Sequence, residues 1–409
     1  MAIVSVFSGN FCQSEEISKE VAFRLGYNLI SEKSLMDTAV KKFNANIEKL
    51  ERTMYGTPSF LNNITHDKEK NTAFLQAALT ELINKDNIVY GGFAGMLLPR
   101  TISHILKVYI IANREYRVDI AVRRNNIPEK EADKLVRKND NDCVRWTHYL
   151  HGKSPWDDSL YDIVIPMNST GFEDAVNIIC ENTEKEALKS TAGSRQKLED
   201  FIIASQIKVD LLLKDHIVEV ENDNGELTVY LKKYHMRFEH YSEEIKDLIG
   251  SMPGIKSIDV KYHHSVNLPS LTRSIDLEVP SKVLLVDDEV EYVHTLSERL
   301  KTRSLDSSIV YDGEEALDVV NEEEPEVMIL DLKMPGIDGI EVLRKVKKTK
   351  PEVEVIIVTG HGSVKEKELA MELGAFAYLE KPVDIEVLTK TMHNAYKKVN
   401  ESKKQDGGD

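Results

Sequence analysis

The chain has 409 residues, with 53 Lys+Arg against 69 Asp+Glu and a formal net charge of −16. At roughly 100–200 residues per domain it holds two or three domains, and no apolar run approaches the ~20 residues a membrane-spanning helix needs. The acidity argues against wrapping nucleic acid or lying on an anionic membrane, because like charges repel, and no basic patch offsets it. Met1-Ala2-Ile3-Val4 leads directly into a strand pattern without a secretory start, so a soluble, cytoplasmic protein is expected. Cys12, Cys143 and Cys180 are too scattered for a zinc site or a disulfide framework and read as small buried hydrophobes.

Residues 2–7 form an apolar strand pattern, followed by Ser8-Gly9-Asn10-Phe11-Cys12-Gln13-Ser14 and an amphipathic helix ending near Gly26. Further buried-strand patterns lie at 87–92, 106–112 and 161–165, with a helix expected at about 172–184. Between the second and third of these runs a charged segment that includes Arg114, Arg117, Arg123, Arg124 and Arg145. A strand, a small-residue loop and a helix is the order in which a mononucleotide kinase begins its phosphate site. Ser8, Gly9 and Asn10 are therefore candidate nucleotide-binding residues.

Residues 1–185 resemble the cytidylate kinase-like family. The resemblance rests on the strand with Gly91-Gly92, the strand followed by Ala112 and, five residues on, Arg117, the charged lid, and Tyr161-Asp162-Ile163-Val164-Ile165. It implies a P-loop-kinase-like parallel α/β domain over 1–190 with an arginine-bearing lid, from which Arg114, Arg117 and Arg145 join the candidate nucleotide-binding residues. The chain departs from that family at the phosphate loop, which has Gly9 but no second glycine and no lysine before Lys19. Without that lysine the transferred phosphoryl lacks its nearest cation, a loss of several powers of ten in rate. The lid arginines are accordingly expected on solvated helix faces.

A small-residue turn at 189–194 precedes a helix, two short strands, a second helix, a turn at 252–255 and a closing strand. This α+β module of residues 195–265 resembles small BON-type modules in its Gly254-Ile255-Lys256-Ser257-Ile258-Asp259-Val260 ending. Residues 266–281, with Pro269 and Pro280, read as a linker, and the tail 401–409 has nothing apolar to bury and is expected to be disordered.

The acidity concentrates in residues 281–400, which carry 25 Asp+Glu and 16 Lys+Arg. Here short Val/Ile/Leu runs at 283–286, 308–311, 327–330, 355–358 and 375–379 alternate with amphipathic helices. Such runs suit strands buried on both faces, and helical crossovers between them make a doubly wound, flavodoxin-like five-stranded parallel sheet whose site lies at the strands' carboxyl ends. Asp287, Asp288 and Glu289 follow the first strand, Asp331 the third, Thr359-Gly360-His361-Gly362 the fourth and Lys381-Pro382 the fifth. Converging carboxylates repel unless a cation neutralises them, and hard oxygen donors imply Mg²⁺. A carboxylate beside that ion can take a phosphoryl group. His361 reads as a loop residue, because Mg²⁺ disfavours imidazole.

These segments resemble the receiver domain of two-component response regulators over its full length, 282–400. Matching positions are Val286-Asp287-Asp288-Glu289, Asp331-Leu332-Lys333-Met334-Pro335-Gly336, Val358-Thr359-Gly360-His361-Gly362 and Leu379-Glu380-Lys381-Pro382. The resemblance implies Asp331 as phosphoacceptor, Asp287 and Asp288 as acidic metal ligands, and the carbonyl of Lys333 as a third protein ligand. It further implies Thr359 and Lys381 as partners of the phosphoryl group and Tyr378 as the aromatic switch. The implied partners are a histidine kinase or phosphotransfer protein, with a phosphorylation-dependent homodimer through the fourth helix and fifth strand; no DNA-binding helix-turn-helix is found. Two readings of the whole remain open. One is a response regulator signalling through a kinase-like nucleotide-sensing or protein-interaction module, and the other is a CMP/dCMP-type nucleoside monophosphate kinase gated by receiver phosphorylation.

Overall fold

The computed structural model describes residues 2–56, 66–233, 238–250, 252, 254–263, 280, 282–303, 305, 307–360 and 362–406, with side chains up to residue 400. The expected linker 266–281, apart from Pro280, and His361 lie outside the described residues. The chain divides into two compact units, one of residues 1–56 and 66–266 and one that holds everything from residue 267 on. No described helix is long and apolar enough to cross a membrane.

The first unit is built on an all-parallel sheet of order β2-β3-β1-β4-β5, formed by β1 (Ile3–Ser8), β2 (Asn28–Ser31), β3 (Ile88–Gly91), β4 (Ile105–Ile111) and β5 (Ile163–Pro166). Strand β2 has no counterpart in the sequence pattern because it is a four-residue edge that buries only Ile30. Alternation along β1 sends Val4 and Val6 to one face, against Ile17 and Val21 of α1 (Ser14–Leu25), and Ile3 and Phe7 to the other. The second face is covered by α2 (Glu32–Phe43), α3 (Ile47–Tyr55), α4 (Asp67–Leu82) and the longer of two lid helices, α5 (Arg114–Asn125) and α6 (Glu129–His151). Fully buried Leu35, Leu50, Leu75 and Trp146 meet there, each contributing about 1.5–3 kcal/mol by its removal from water. Helix α7 (Phe172–Thr183) packs beside α1.

Helix α8 (Ala192–Leu212) belongs to two cores at once. Leu198, Val209 and Leu212 enter the core above, while Ile207 and Leu211 pack on a three-stranded sheet of β6 (Val218–Asp223), β7 (Glu226–Leu231) and β8 (Ser257–Tyr262) with α9 (Phe238–Ile249). The segment 195–265 thus shares its first helix with the core of the five-stranded sheet. The helix starts before residue 195 because Thr191 and Ser194 cap it reciprocally.

The second unit holds a parallel sheet of order β10-β9-β11-β12-β13: β9 (Val283–Val286), β10 (Ser307–Val310), β11 (Val327–Leu330), β12 (Glu354–Thr359) and β13 (Ala377–Glu380). Helices α10 (Val290–Lys301), α11 (Gly313–Glu323), α12 (Gly339–Thr349), α13 (Val364–Glu372) and α14 (Ile385–Asp406) alternate with the strands. Both five-stranded sheets are all-parallel, and the second has the flavodoxin-like order anticipated above. Central strands β9 and β11 are buried at every position, as two-sided burial requires. Helix α14 runs to Asp406, so the first six residues of the tail continue a helix where disorder was expected. The stretch from Asn400 to Asp406 contains neither glycine nor proline, and the first glycine is Gly407.

Candidate functional site

Parallel pairing in register brings the ends of β9 and β11 together, with Val286 beside Leu330, so Asp287 and Asp331 emerge side by side. Both are buried, at 5% and 4% exposure, and with Asp288 they place carboxylate oxygens within 4.8 Å of one another. The backbone orients them: Glu289 N donates to Asp287 Oδ1 at 3.0 Å, and Leu332 N and Lys333 N donate to Asp331 Oδ1 at 2.6 and 3.3 Å. From the end of β13, Lys381 Nζ reaches Asp287 Oδ2 at 2.7 Å, Glu289 Oε1 at 2.8 Å and Asp331 Oδ2 at 3.1 Å.

One ammonium therefore faces four carboxylates counting Asp288. Burial pushes the Asp287 carboxyl up to about 6 despite the lysine beside it, and burial together with the Asp331 charge raises Asp288. Burial opposes the charge of Lys381, yet Asp287, Glu289 and Asp331 outweigh it and hold the ammonium well above the usual lysine value. This is an electron-rich pocket short of positive charge, as a hard divalent cation requires of its donors. At the end of β12, Thr359 is 1% exposed and its hydroxyl has no hydrogen-bond partner among the described residues.

The side chains of Tyr378 and Lys333 make their contacts outside this cluster. The Tyr378 ring is half-buried beneath Lys367 Nζ, which sits 5.5 Å from its centroid. Lys333 sends its ammonium to Glu366 Oε1, 2.5 Å away in the first turn of α13. Two contacts escaped the sequence reading. Glu289 was visible as the third acid of its run, but its ion pair with a lysine 92 residues away was not. Tyr292, one helical turn beyond Asp288, lays its ring 4.4 Å from Lys381 Nζ.

The equivalent edge of the first unit is arranged differently. Ser8, Gly9 and Asn10 line a cavity of about 400 Å³ with Glu15, Glu16, Glu32, Tyr55, Gly92 and Arg124. Arg114, Arg117 and Arg145 are not among its lining residues. Arg117 and Arg145 correct the expectation of solvated faces, their side chains being 8% and 11% exposed, whereas Arg114 and Arg124 are half exposed and Arg123 more so.

The reason is pairing. The Arg117 guanidinium donates to Asn10 O and Asn10 Oδ1, each at 2.9 Å, to Asn139 Oδ1 at 3.2 Å and to Asp140 Oδ1 at 2.5 Å. Asn10 N donates to Asn139 Oδ1 at 2.6 Å. A Cβ at Gly9 would stand 2.8 Å from the guanidinium, so the lid arginine fills the space over the loop. Arg145 pairs with Asp142 on its own helix at 2.5 Å. The first turn of α1 offers Glu15 and Glu16 where a phosphate would approach. Glu32 accepts from Phe93 N, Ala94 N and the Tyr55 hydroxyl, and so ties α2 to the turn after β3.

Residues 283–393 match the response regulator receiver domain, and residues 3–169 match the cytidylate kinase-like family. Among solved structures, the chain is similar to a response regulator receiver domain protein from Clostridium thermocellum (35% identity, 29% of this chain and 94% of that one, TM-score 0.28). It is similar as well to the Francisella response regulator 1452 receiver domain (30%, 29% and 97%, 0.28). A third is the signal receiver domain of a putative Luxo repressor protein from Vibrio parahaemolyticus (29%, 32% and 98%, 0.30).

Proposed function

We propose that this chain, which belongs through residues 283–393 to the response regulators of two-component systems, is phosphorylated on Asp331 by a histidine kinase or phosphotransfer protein and signals through its N-terminal unit as a protein-interaction module. The observation that carries the first half is the pocket of Asp287, Asp288 and Asp331 with Lys381 at its edge and, beside it, the Thr359 hydroxyl, which has no partner among the described residues.

Mg²⁺, held by Asp287, Asp288, Asp331 and the Lys333 carbonyl, would neutralise charge on the phosphoryl oxygens. An Asp331 carboxylate oxygen attacks the phosphorus of the donor phosphohistidine, the P–O bond forms as the P–N bond breaks, and the leaving imidazole nitrogen keeps the electron pair and takes up a proton. Lys381 is already within hydrogen-bond distance of the acceptor carboxylate and follows the charge to the new phosphoryl oxygens. Thr359 has a hydroxyl to donate to them, and Tyr378 answers its movement. The added charge of about −1.5 to −2 then biases α13 and β13 toward a second arrangement, the face through which a homodimer would form. A cytoplasmic location accords with this chemistry.

For the N-terminal unit, three features favour an interaction module over a kinase: no lysine in the 8–14 loop, Arg117 seated over Gly9, and Glu15 and Glu16 at the start of α1. Two assays test the halves separately. Acetyl phosphate with Mg²⁺ should label the protein in an acid-stable, hydroxylamine-sensitive form that Asp331→Asn removes; labelling that persists in the variant refutes the phosphoacceptor. ADP release from ATP with CMP, dCMP or UMP should be absent; turnover would restore the gated-kinase reading.

A further inference from the structure

We propose that Gly362 is the seat of the Tyr378 ring and thereby couples it to Thr359, a positioning role that rests on reading Tyr378 as the switch. Gly362 lies in the connection between β12 and α13, three residues after Thr359. Its φ is not in the positive region, so the backbone there does not demand glycine, in contrast to Gly336 at φ 89° with open space around it. The demand is spatial. A Cβ at residue 362 would overlap the Tyr378 hydroxyl and stand 2.8 Å from its Cζ and 3.2 Å from Thr359 Cγ2. Relaxed carbon contacts fall at about 3.5–4.0 Å, so ring and methyl cannot both occupy this place.

A side chain at 362 would meet both the Tyr378 hydroxyl end and the Thr359 methyl, and its absence leaves the ring its place next to the threonine. The ring has another place to go. It borders an open surface groove of about 620 Å³ lined also by Val364, Lys367 and Met371, with Val364 75% exposed. Alanine at 362 drives the ring outward into that groove whatever the state of Asp331. Labelling at Asp331 survives, because no group that touches the phosphoryl site is altered, but the α13 surface no longer answers to it.

The test uses the full chain labelled with 3-fluorotyrosine, the Tyr378 resonance being assigned with Tyr378→Phe. In unphosphorylated protein, Gly362→Ala should move that resonance and make it more sensitive to H₂O/D₂O exchange; a resonance that stays in place overturns the proposal. Beryllofluoride with Mg²⁺ should shift Tyr378 in the parent protein and shift it at least about threefold less in Gly362→Ala, with acetyl phosphate labelling unchanged. In a Tyr378→Leu background, Gly362→Ala should leave hydrogen exchange of α13 as it was; an equal effect with and without the ring would mean that the glycine acts through the loop alone, against the proposal. If beryllofluoride moves nothing in the parent protein, the phosphoacceptor reading fails, while the unphosphorylated comparison still decides the seat.

Discussion

The two five-stranded parallel sheets of this chain carry their polar groups at the same edge and treat a buried cation in opposite ways. In the first unit, Arg117 has four partners on Asn10, Asn139 and Asp140, and the loop beneath it is filled. In the second, Lys381 is outnumbered by carboxylates, the Asp287 carboxyl is pushed up to about 6 and the Thr359 hydroxyl has no partner among the described residues. A satisfied network holds one arrangement, and an unsatisfied one leaves room for a ligand to complete it. The same fold logic therefore yields a fastened joint in one unit and a poised site in the other.

The sharpest test of that contrast removes the acceptor. Asp331→Asn should lower acetyl phosphate labelling by at least about 10³-fold, measured as hydroxylamine-sensitive phosphate, while leaving the fold intact. Arg117→Met should act the other way, destabilising the first unit by about 3 kcal/mol in denaturant melts because Asp140 and the Asn10 carbonyl lose their shared donor. Nucleotide should not restore the loss. If ATP or CMP did so, the loop would be a ligand site and not a joint.

Lys381→Met comes next. It takes the Lys381 ammonium from the acidic pocket, and labelling at saturating Mg²⁺ should fall about 10–100-fold with Mg²⁺ binding retained by calorimetry. Asp287→Asn probes the standing cost of that pocket. Folding raises the Asp287 pKa from 3.8 to about 6, so the native state holds the proton more tightly and stability declines as pH rises through that window. In metal-free buffer at pH 7 the variant should be about 1 kcal/mol more stable than the parent, and it should lose the stabilisation that Mg²⁺ confers.

The smallest expected effect belongs to the first unit. Burial raises the Glu219 carboxyl, but Lys208 and Lys232 outweigh it and hold the group down at about 2, against 4.5 in the unfolded chain. That contribution is full above pH 4.5 and disappears as pH falls toward 2. Glu219→Gln should lower stability at pH 7 by about 1 kcal/mol, after allowance for partial solvent exposure, and flatten the acid limb. An unchanged acid limb would mean that the carboxylate is screened by water.

Sequence and structure part company over sequence separation. Asp287, Asp288, Asp331, Thr359 and Lys381 were legible because each lies at or just beyond the carboxyl end of a strand of a parallel sheet, and the topology gathers strand ends on one edge regardless of side-chain detail. The apolar runs at 283–286 and 327–330 predicted their strands for the same reason, two-sided burial. The four-residue edge β2 buries a single residue and left no pattern to read. What chain order determined, then, was the acidic edge of the second unit and the missing lysine of the first. Tertiary structure alone decided that Arg117 closes on Asn10, 107 residues away, that Glu289 pairs with Lys381, and that the Tyr378 hydroxyl rests on the bare Cα of Gly362. Those contacts depend on how side chains pack across elements, and spacing along the chain does not encode them.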